Sequence, residues 1–284
     1  MKLSTNIMLF QQVLGLERTL EVFAEAGFEA VEFNADIEEY YTDAHNKAYY
    51  KKIKSLCDNL GIEITQAHAP FRFGQDMADE EKAKKHFIEI VRAFEHSSYL
   101  GTKMIVVHPL THLNLNIEEN KDKMLEYNVE YYRSLIPYAE EYGMKIAIEN
   151  IRDSISKTAK GLLEILNELN NEAFTVCCDV GHVNIMGEKP ADMIMELGNN
   201  IGCTHIHDND GVSDCHTLPY YGNIDWESVM KAFADISYEG NLNYEAGLFV
   251  KNVPVSLRGE SAGYMAGIGK YLIERYWSYK NNQN

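Results

Sequence analysis

Ile201-Gly202-Cys203-Thr204-His205-Ile206-His207-Asp208-Asn209-Asp210-Gly211 opens a stretch that runs to Trp226. It holds three histidines (His205, His207, His216) and four aspartates (Asp208, Asp210, Asp214, Asp225). Imidazole and carboxylate are the side chains that bind divalent metals such as zinc and manganese. The alternation predicts a strand over Cys203 to His207, with Thr204 and Ile206 facing away from Cys203, His205 and His207. Asn209-Asp210-Gly211 is a turn signal, and regular structure resumes at Ile224. Metal-type residues therefore stand where a strand gives way to a loop, the place where parallel α/β proteins build their sites.

Outward from that stretch, short apolar runs alternate with longer amphipathic ones. Strands are expected over Leu3–Phe10, Ala30–Asn34, Ile62–His68, Lys103–His108, Lys145–Asn150, Phe174–Asp179, Cys203–His207 and Asn241–Glu245. Helices are expected over Leu16–Phe28 (ending at Gly27), Asp43–Leu60, Asp79–Leu100, Ile117–Tyr142, Ala159–Asn170, Ala191–Asn199, Ile224–Ile236 and Val255–Tyr279. Eight strand–helix units with no linker or composition break predict one α/β domain over residues 1–284, a closed (β/α)8 TIM barrel. An open doubly wound sheet is the alternative, but no Gly-x-Gly-x-x-Gly follows any strand.

The 284 residues suit such a barrel, and a hydrophobic content of 45% supplies its core. The formal net charge of -17 disfavours nucleic acid and anionic membranes as partners. Five cysteines without CxxC spacing form neither a disulfide framework nor a zinc knuckle, so a reducing cytoplasm is the expected location. No basic region followed by an apolar core stands at Met1–Asn6, so no signal peptide is expected. A homo-oligomer is compatible with the sequence, which leaves the oligomeric state open.

The strand ends carry the functional argument. Strands three to eight end on His68, His108, Glu149, Asp179, His207 and Glu245. In a barrel these ends share one face. Parity points them inward, since Glu149 goes with Ala147, His207 with His205 and Cys203, and Glu245 with Asn243 and Asn241. Any one of them alone reads as a loop hydrogen-bonder, an ion-pair partner or a helix N-cap. Together, carboxylates gathered in one pocket repel unless a cation lies between them. His182 overhangs the same pocket, and Asp214 with His216 can share a further metal or form a loop pair. His205 reads as a support one layer below His207. His45, His86, His96 and His112 read as surface or packing residues, and Tyr40-Tyr41, Tyr49-Tyr50 and Tyr131-Tyr132 as helix faces. Tyr220-Tyr221 and Phe71 with Phe10 are candidates to line the pocket, and Asp225 to cap the helix that Trp226 opens.

At these residues the chain resembles the xylose isomerase-like superfamily of TIM barrels over essentially its whole length. It looks most like the sugar phosphate isomerase/epimerase family. The pieces that carry the resemblance are His68-Ala69-Pro70, His108-Pro109, Ile148-Glu149-Asn150, Cys178-Asp179-Val180-Gly181-His182, His205-Ile206-His207-Asp208-Asn209, Gly222-Asn223-Ile224-Asp225-Trp226 and Tyr244-Glu245-Ala246-Gly247. The ketose 3-epimerase branch implies one metal on Glu149, Asp179, His207 and Glu245. That branch also has an arginine shortly after its metal-binding histidine, where Asp208–Asp214 here has none. The apurinic endonuclease branch implies a three-zinc cluster on His68, His108, Glu149, Asp179, His182, His207, Asp214, His216 and Glu245.

The resemblance thus implies a metal-dependent isomerase or epimerase of a small carbohydrate substrate, with Glu149 and Glu245 as the proton-transferring pair. His68, His108 and His182 would bind substrate or further metal. Zinc is favoured on chemical grounds and manganese next, with one ion as the minimum and three as the maximum. The alternatives are a metal-dependent phosphoester hydrolase and a non-catalytic sugar-binding barrel.

Overall fold

The computed structural model describes residues 1–36, 45–71, 79–111 and 116–282. The expectations that fall on Tyr40-Tyr41, on Asp43 and on His112 lie outside them. Among the described residues, strands and helices alternate along the chain. They fall into two compact units, Met1–Phe33 with Ser55–Ile64 and Cys178–Asn284, and Asn34–Lys54 with Thr65–Cys177.

The first unit contains β1 (Leu3–Thr5), α1 (Met8–Leu14), α2 (Leu16–Ala26) and most of β2 (Ala30–Asn34). From the C-terminal half of the chain it takes α7 (Val180–Ile185), α8 (Pro190–Leu197), β7 (Ile201–His205), α9 (Trp226–Asp235), β8 (Leu242–Tyr244) and α10 (Arg258–Asn281). β1 and β8 pair in parallel, with Leu3 opposite Leu242 and Thr5 opposite Tyr244. Isolated parallel bridges Asn6–Glu32 and Ile206–Tyr244 extend this pair towards β2 and β7. The first and last strands of the chain are therefore neighbours. α2 presents Leu16, Thr19, Leu20, Val22 and Phe23 on one buried stripe and stops where Gly27 turns left-handed at φ 91°. α10 packs on α9, α2 and β1. Its Gly269 admits Leu3 so closely that a Cβ there would stand 2.3 Å from Leu3 Cδ1.

The second unit holds four parallel strands, β3 (Glu63–His68), β4 (Met104–Val107), β5 (Lys145–Glu149) and β6 (Phe174–Asp179), apart from a residue or two at two strand ends. The register sets Ile105 opposite Ile146 and Ile148 opposite Val176. α4 (Glu80–Tyr99), α5 (Lys121–Tyr142) and α6 (Ala159–Leu169) pack side by side. Buried Ile90, Phe94, Tyr132, Leu135, Leu162 and Ile165 come from these helices. Each such side chain is worth roughly 1.5–3 kcal/mol on burial. The remaining helix, α3, spans Lys47–Leu60.

Most spans agree with the sequence expectation within a few residues, and the differences have local causes. Leu3–Phe10 is three residues of strand followed by α1, because an unbroken apolar run does not separate strand from buried helix. Asn6 makes the break, its Oδ1 accepting the Met8 N–H at 2.9 Å. Asp79 is the N-cap of α4, accepting the Lys82 N–H at 3.1 Å, and Asp225 caps α9 through the Ser228 N–H at 3.2 Å. α7 was not expected, and Asp179 caps it by accepting the His182 N–H at 2.7 Å. β7 ends at His205 rather than His207. Among the described residues no helix is long and apolar enough to cross a membrane.

The N-terminal turn of α6 closes the loop after β5. Thr158 accepts the Gly161 N–H at 3.1 Å, and a Cβ on Gly161 would stand 2.0 Å from the Ile155 carbonyl oxygen. The same loop secures the end of β5, where Ser156 Oγ donates to the Glu149 carbonyl at 2.6 Å. Backbone cannot move aside as a flexible side-chain tip can. Gly161→Ala is therefore expected to lower stability by about 1–3 kcal/mol. Denaturant unfolding monitored by far-ultraviolet circular dichroism checks this, and an unchanged midpoint would contradict it.

Candidate metal centre

In the first unit, three residues converge from three strand ends. His205, the last residue of β7, is fully buried, and its Nδ1 lies 3.4 Å from Glu245 Oε2 and 3.8 Å from Asp179 Oδ2. Its other nitrogen is committed, since Nε2 sits 2.9 Å from Glu32 Oε2. The carboxylate can only accept, so Nε2 carries a proton, and Nδ1 faces the other two carboxylates, where its lone pair would be available to a cation lying among them. Glu32 is itself fixed. It accepts Asn6 Nδ2 at 2.5 Å and Asn243 Nδ2 at 3.4 Å, and Asn243 in turn accepts Ser4 Oγ at 2.7 Å. This chain of buried polar groups ties β1, β2, β7 and β8 to one imidazole.

A second group in the same unit gathers His182, His207, Asp214 and His216, whose ligand atoms lie within 4.8 Å of one another. Asp214 Oδ2 is 3.0 Å from His216 Nε2 and 3.4 Å from His182 Nε2, and His207 Nε2 is 3.8 Å from Asp214 Oδ1. His216 is oriented by backbone, with Nδ1 donating to the Glu245 carbonyl at 2.8 Å. It holds this pose at a left-handed φ of 40°, an uncommon conformation for a histidine. The His207 and His216 rings stack 3.9 Å apart. Gly181 makes room for them, since a Cβ there would stand 1.9 Å from His207 Cε1. In the second unit, His68 and His108 direct Nε2 at one oxygen of buried Glu149, at 3.4 and 2.9 Å. His68 Nδ1 donates to the Ala69 carbonyl at 2.8 Å, and Phe71 packs against both rings at 5.0 Å.

The donor set fits divalent cations. Both ring nitrogens of His207 are buried and find no hydrogen-bond partner among the described residues. Asp179 Oδ1 approaches one of them to 3.0 Å, but out of line for a hydrogen bond. Ligands at 2.0–2.1 Å from a tetrahedral zinc are roughly 3.3 Å apart, which is the separation seen across these groups. Without a cation, the protons must fill the role. Burial raises the Asp214 carboxyl, but its hydrogen bonds to His182 and His216 outweigh this and hold it well below the usual carboxylate range. Burial lowers His216, yet the bond to Asp214 and the charges of Glu245, Asp214 and Asp179 push it up to about 9.

Asp179, expected beside His207, has Oδ1 3.0 Å from His207 Nε2, while its Oδ2 faces His205. Glu245 faces His205 as well. His207 lies beyond the end of β7, where it also approaches Asp214, and His205 is the last residue of β7, held from behind by Glu32. His205 and His207 share parity, so alternation cannot separate them, and only the point at which the chain leaves the strand does. Asp179 is both an N-cap and a site residue, one oxygen serving each role. Among the described residues, Asp208 serves the loop. It accepts N–H bonds from Asn209, Tyr220 and Ile224 and from the Trp226 indole at 2.8–3.3 Å, which shapes the loop. Glu32 went unnoticed in mid-strand, where its polar character in an otherwise apolar run was the available signal. Tyr220 and Tyr221 are half exposed, His86 is buried, and His96 meets the Tyr50 hydroxyl at 3.2 Å.

The geometry defines a polar site at the carboxyl ends of parallel strands, and comparison with known proteins gives the family. Residues 20–249 match the xylose isomerase-like TIM barrel family, and the chain belongs to it. An uncharacterized protein of Methanocaldococcus jannaschii is 30% identical over 81% of this chain and 78% of its own length. An inosose dehydratase of Clostridium botulinum is 26% identical over 82% and 84%. Among solved structures, a D-tagatose 3-epimerase-like protein superposes with a TM-score of 0.79 at 26% identity, covering 100% of this chain and 99% of its own. The IOLI protein, determined with a bound zinc atom, has a TM-score of 0.78 at 22% identity over 98% and 99%.

Two outcomes are expected. Glu32→Gln keeps the shape but loses the charged partner of His205, and metal affinity should fall about 10–100-fold with the fold intact. Competition with a chromophoric chelator measures this, and unchanged affinity would remove Glu32 from the site. Below pH 9 the metal-free His216 carries a proton that an incoming cation must displace. Metal affinity should therefore rise with pH, by up to about tenfold per unit, and level off near pH 9. Titration of the apoprotein with zinc at several pH values, with proton release followed in parallel, tests the sign.

Proposed function

We propose that residues 1–284 form a single catalytic domain, a divalent-metal-dependent enzyme that moves a proton on the carbon beside the carbonyl of a sugar or keto-polyol. The reading makes it an isomerase or epimerase. The observation that carries it is the convergence of Asp179 and Glu245 on Nδ1 of His205, with Glu32 holding the ring from its other side. Asp179, His205 and Glu245 would hold the ion. The strand-end argument from the sequence adds Glu149 and His207 to them, His207 Nε2 lying 3.0 Å from Asp179 Oδ1. When bound, the ion supplies Lewis-acid polarisation of a carbonyl and its neighbouring hydroxyl.

The rest is the work of side chains. Glu245 is the less buried carboxylate of the set, its side chain 19% exposed, and it is the group assigned to take the proton from substrate. Glu149 returns a proton, either to the opposite face of the same carbon or to the neighbouring carbon. His182 holds a substrate hydroxyl, while His68 and His108 orient the sugar. Phe71, packed on both rings, keeps water from them. Support comes from the tagatose 3-epimerase-like structure and the inosose dehydratase, whose names denote chemistry beside a sugar-type carbonyl. A protein of the same fold binds zinc, and the histidine-rich donors favour zinc over manganese.

A second reading has its own observation. The cluster of His182, His207, Asp214 and His216 offers room for a further ion, and two or three metals suit phosphoester hydrolysis. Elemental analysis of the purified protein separates the two readings, since about one ion per chain favours proton transfer and two or three favour hydrolysis. The direct test is solvent deuterium entering the carbon beside the carbonyl across a panel of ketoses and aldoses. Glu245→Gln should slow that exchange about 100- to 10,000-fold while the metal content holds. Exchange that survives the substitution would take Glu245 out of the proposed role.

A further inference from the structure

Polarity is inverted at the entry to α10. Val255 and Leu257 are 51% and 47% exposed, whereas Arg258 beside them is 5% exposed. Apolar side chains on a surface are common, but a buried guanidinium is not, because removing its charge from water is costly unless a counter-charge compensates. Arg258 lacks that compensation. Its Nε and Nη1 are buried without a hydrogen-bond partner, and no ion pair is found for it among the described residues. Among the described residues the Phe10 ring answers its charge, 5.4 Å from Cζ, and an aromatic face offsets only part of the cost. Burial lowers its pKa accordingly. On α1, next to Phe10, Gln11 is 6% exposed and its Oε1 is likewise buried without a partner.

The position of this residue gives it a use. β1 and β8 run parallel as neighbours, and the chain leaves both at the same end. α1 begins just after β1. Glu245 stands just after β8, and from it the chain passes through a 3-10 turn, Gly247–Val250, that packs on α1 before reaching Arg258. The guanidinium thus lies against α1, the helix that follows β1 and packs on the turn that follows Glu245. We infer that Arg258 receives the anionic group of a small ligand, a phosphate or a carboxylate, over the ends of β1 and β8. A guanidinium is the side chain best suited to two oxygens of such a group. If the function proposed above holds, on which this last step alone rests, the sugar-like substrate is an anionic one.

The test uses the metal-loaded protein and two probes, inorganic phosphate and glycolate, which separate the two anion classes. One or both should raise the melting temperature of the wild-type protein. Arg258→Met removes a buried charge that nothing pairs, so the variant alone should melt at the same temperature or higher, and neither anion should shift it. Arg258→Lys keeps the charge but not the fork, and its half-saturating anion concentration should rise at least about tenfold. That second variant decides the matter if the methionine form does not fold. Equal anion shifts in the wild-type and variant proteins would place the anion elsewhere. A destabilised Arg258→Met, with no anion response in the wild type, would make the residue a structural cation on Phe10. Either result overturns the proposal and leaves deuterium exchange on neutral sugars untouched, so this inference and the proposed function fail separately.

Discussion

Like charges held together out of water set the terms for the rest of this molecule. Glu32 and Asp179 are fully buried, and Glu245 is largely so, yet all three face a single imidazole. Ionised carboxylates in such surroundings are costly, and two remedies are available: protons or cations. His205 can neutralise only part of this charge, because its Nε2 proton is spent on Glu32. The remaining lone pair and the two carboxylates facing it form an arrangement that repels itself when empty and is stabilised by a positive ion.

The protein invests heavily in orientation at this cost. Each imidazole whose role is resolved has one nitrogen tied down, leaving the other as a donor atom. The Ala69 carbonyl does this for His68, the Glu245 carbonyl for His216 and the Glu32 carboxylate for His205. Two of these anchors are backbone atoms of the site's own segments, so the positions of the strand ends and the poses of the rings are set by the same hydrogen bonds. The left-handed φ of His216 and the close approach of Gly181 to His207 are local costs accepted for that orientation. Asp208 contributes in another way, since its four N–H partners fix the path of the loop that delivers Asp214 and His216.

Much of this was legible in the residues themselves. The alternation of apolar runs and amphipathic stretches gave the strands and helices to within a few positions, because burial on one face or on both imposes a period that composition records. The family assignment agrees with the TIM barrel expected from that alternation. The end of β3 at His68, of β5 at Glu149 and of β6 at Asp179 could be read directly, because each is the last residue of its apolar run. Where the apolar run was too uniform, as at Leu3–Phe10, periodicity lost its resolving power and the helix α1 was missed.

The chain by itself determined which chemical types stand at the strand ends, since side-chain identity and spacing are properties of sequence. Tertiary structure alone decided that His205 faces both Asp179 and Glu245. His205 and His207 share parity, and what separates them is that β7 ends at His205, which no local pattern encodes. Structure likewise decided that Glu32, far away in sequence and silent in any motif, holds His205 in place, and that Arg258 is tucked under while its apolar neighbours face water. These are outcomes of long-range packing, in which each residue's environment is supplied by segments hundreds of positions distant.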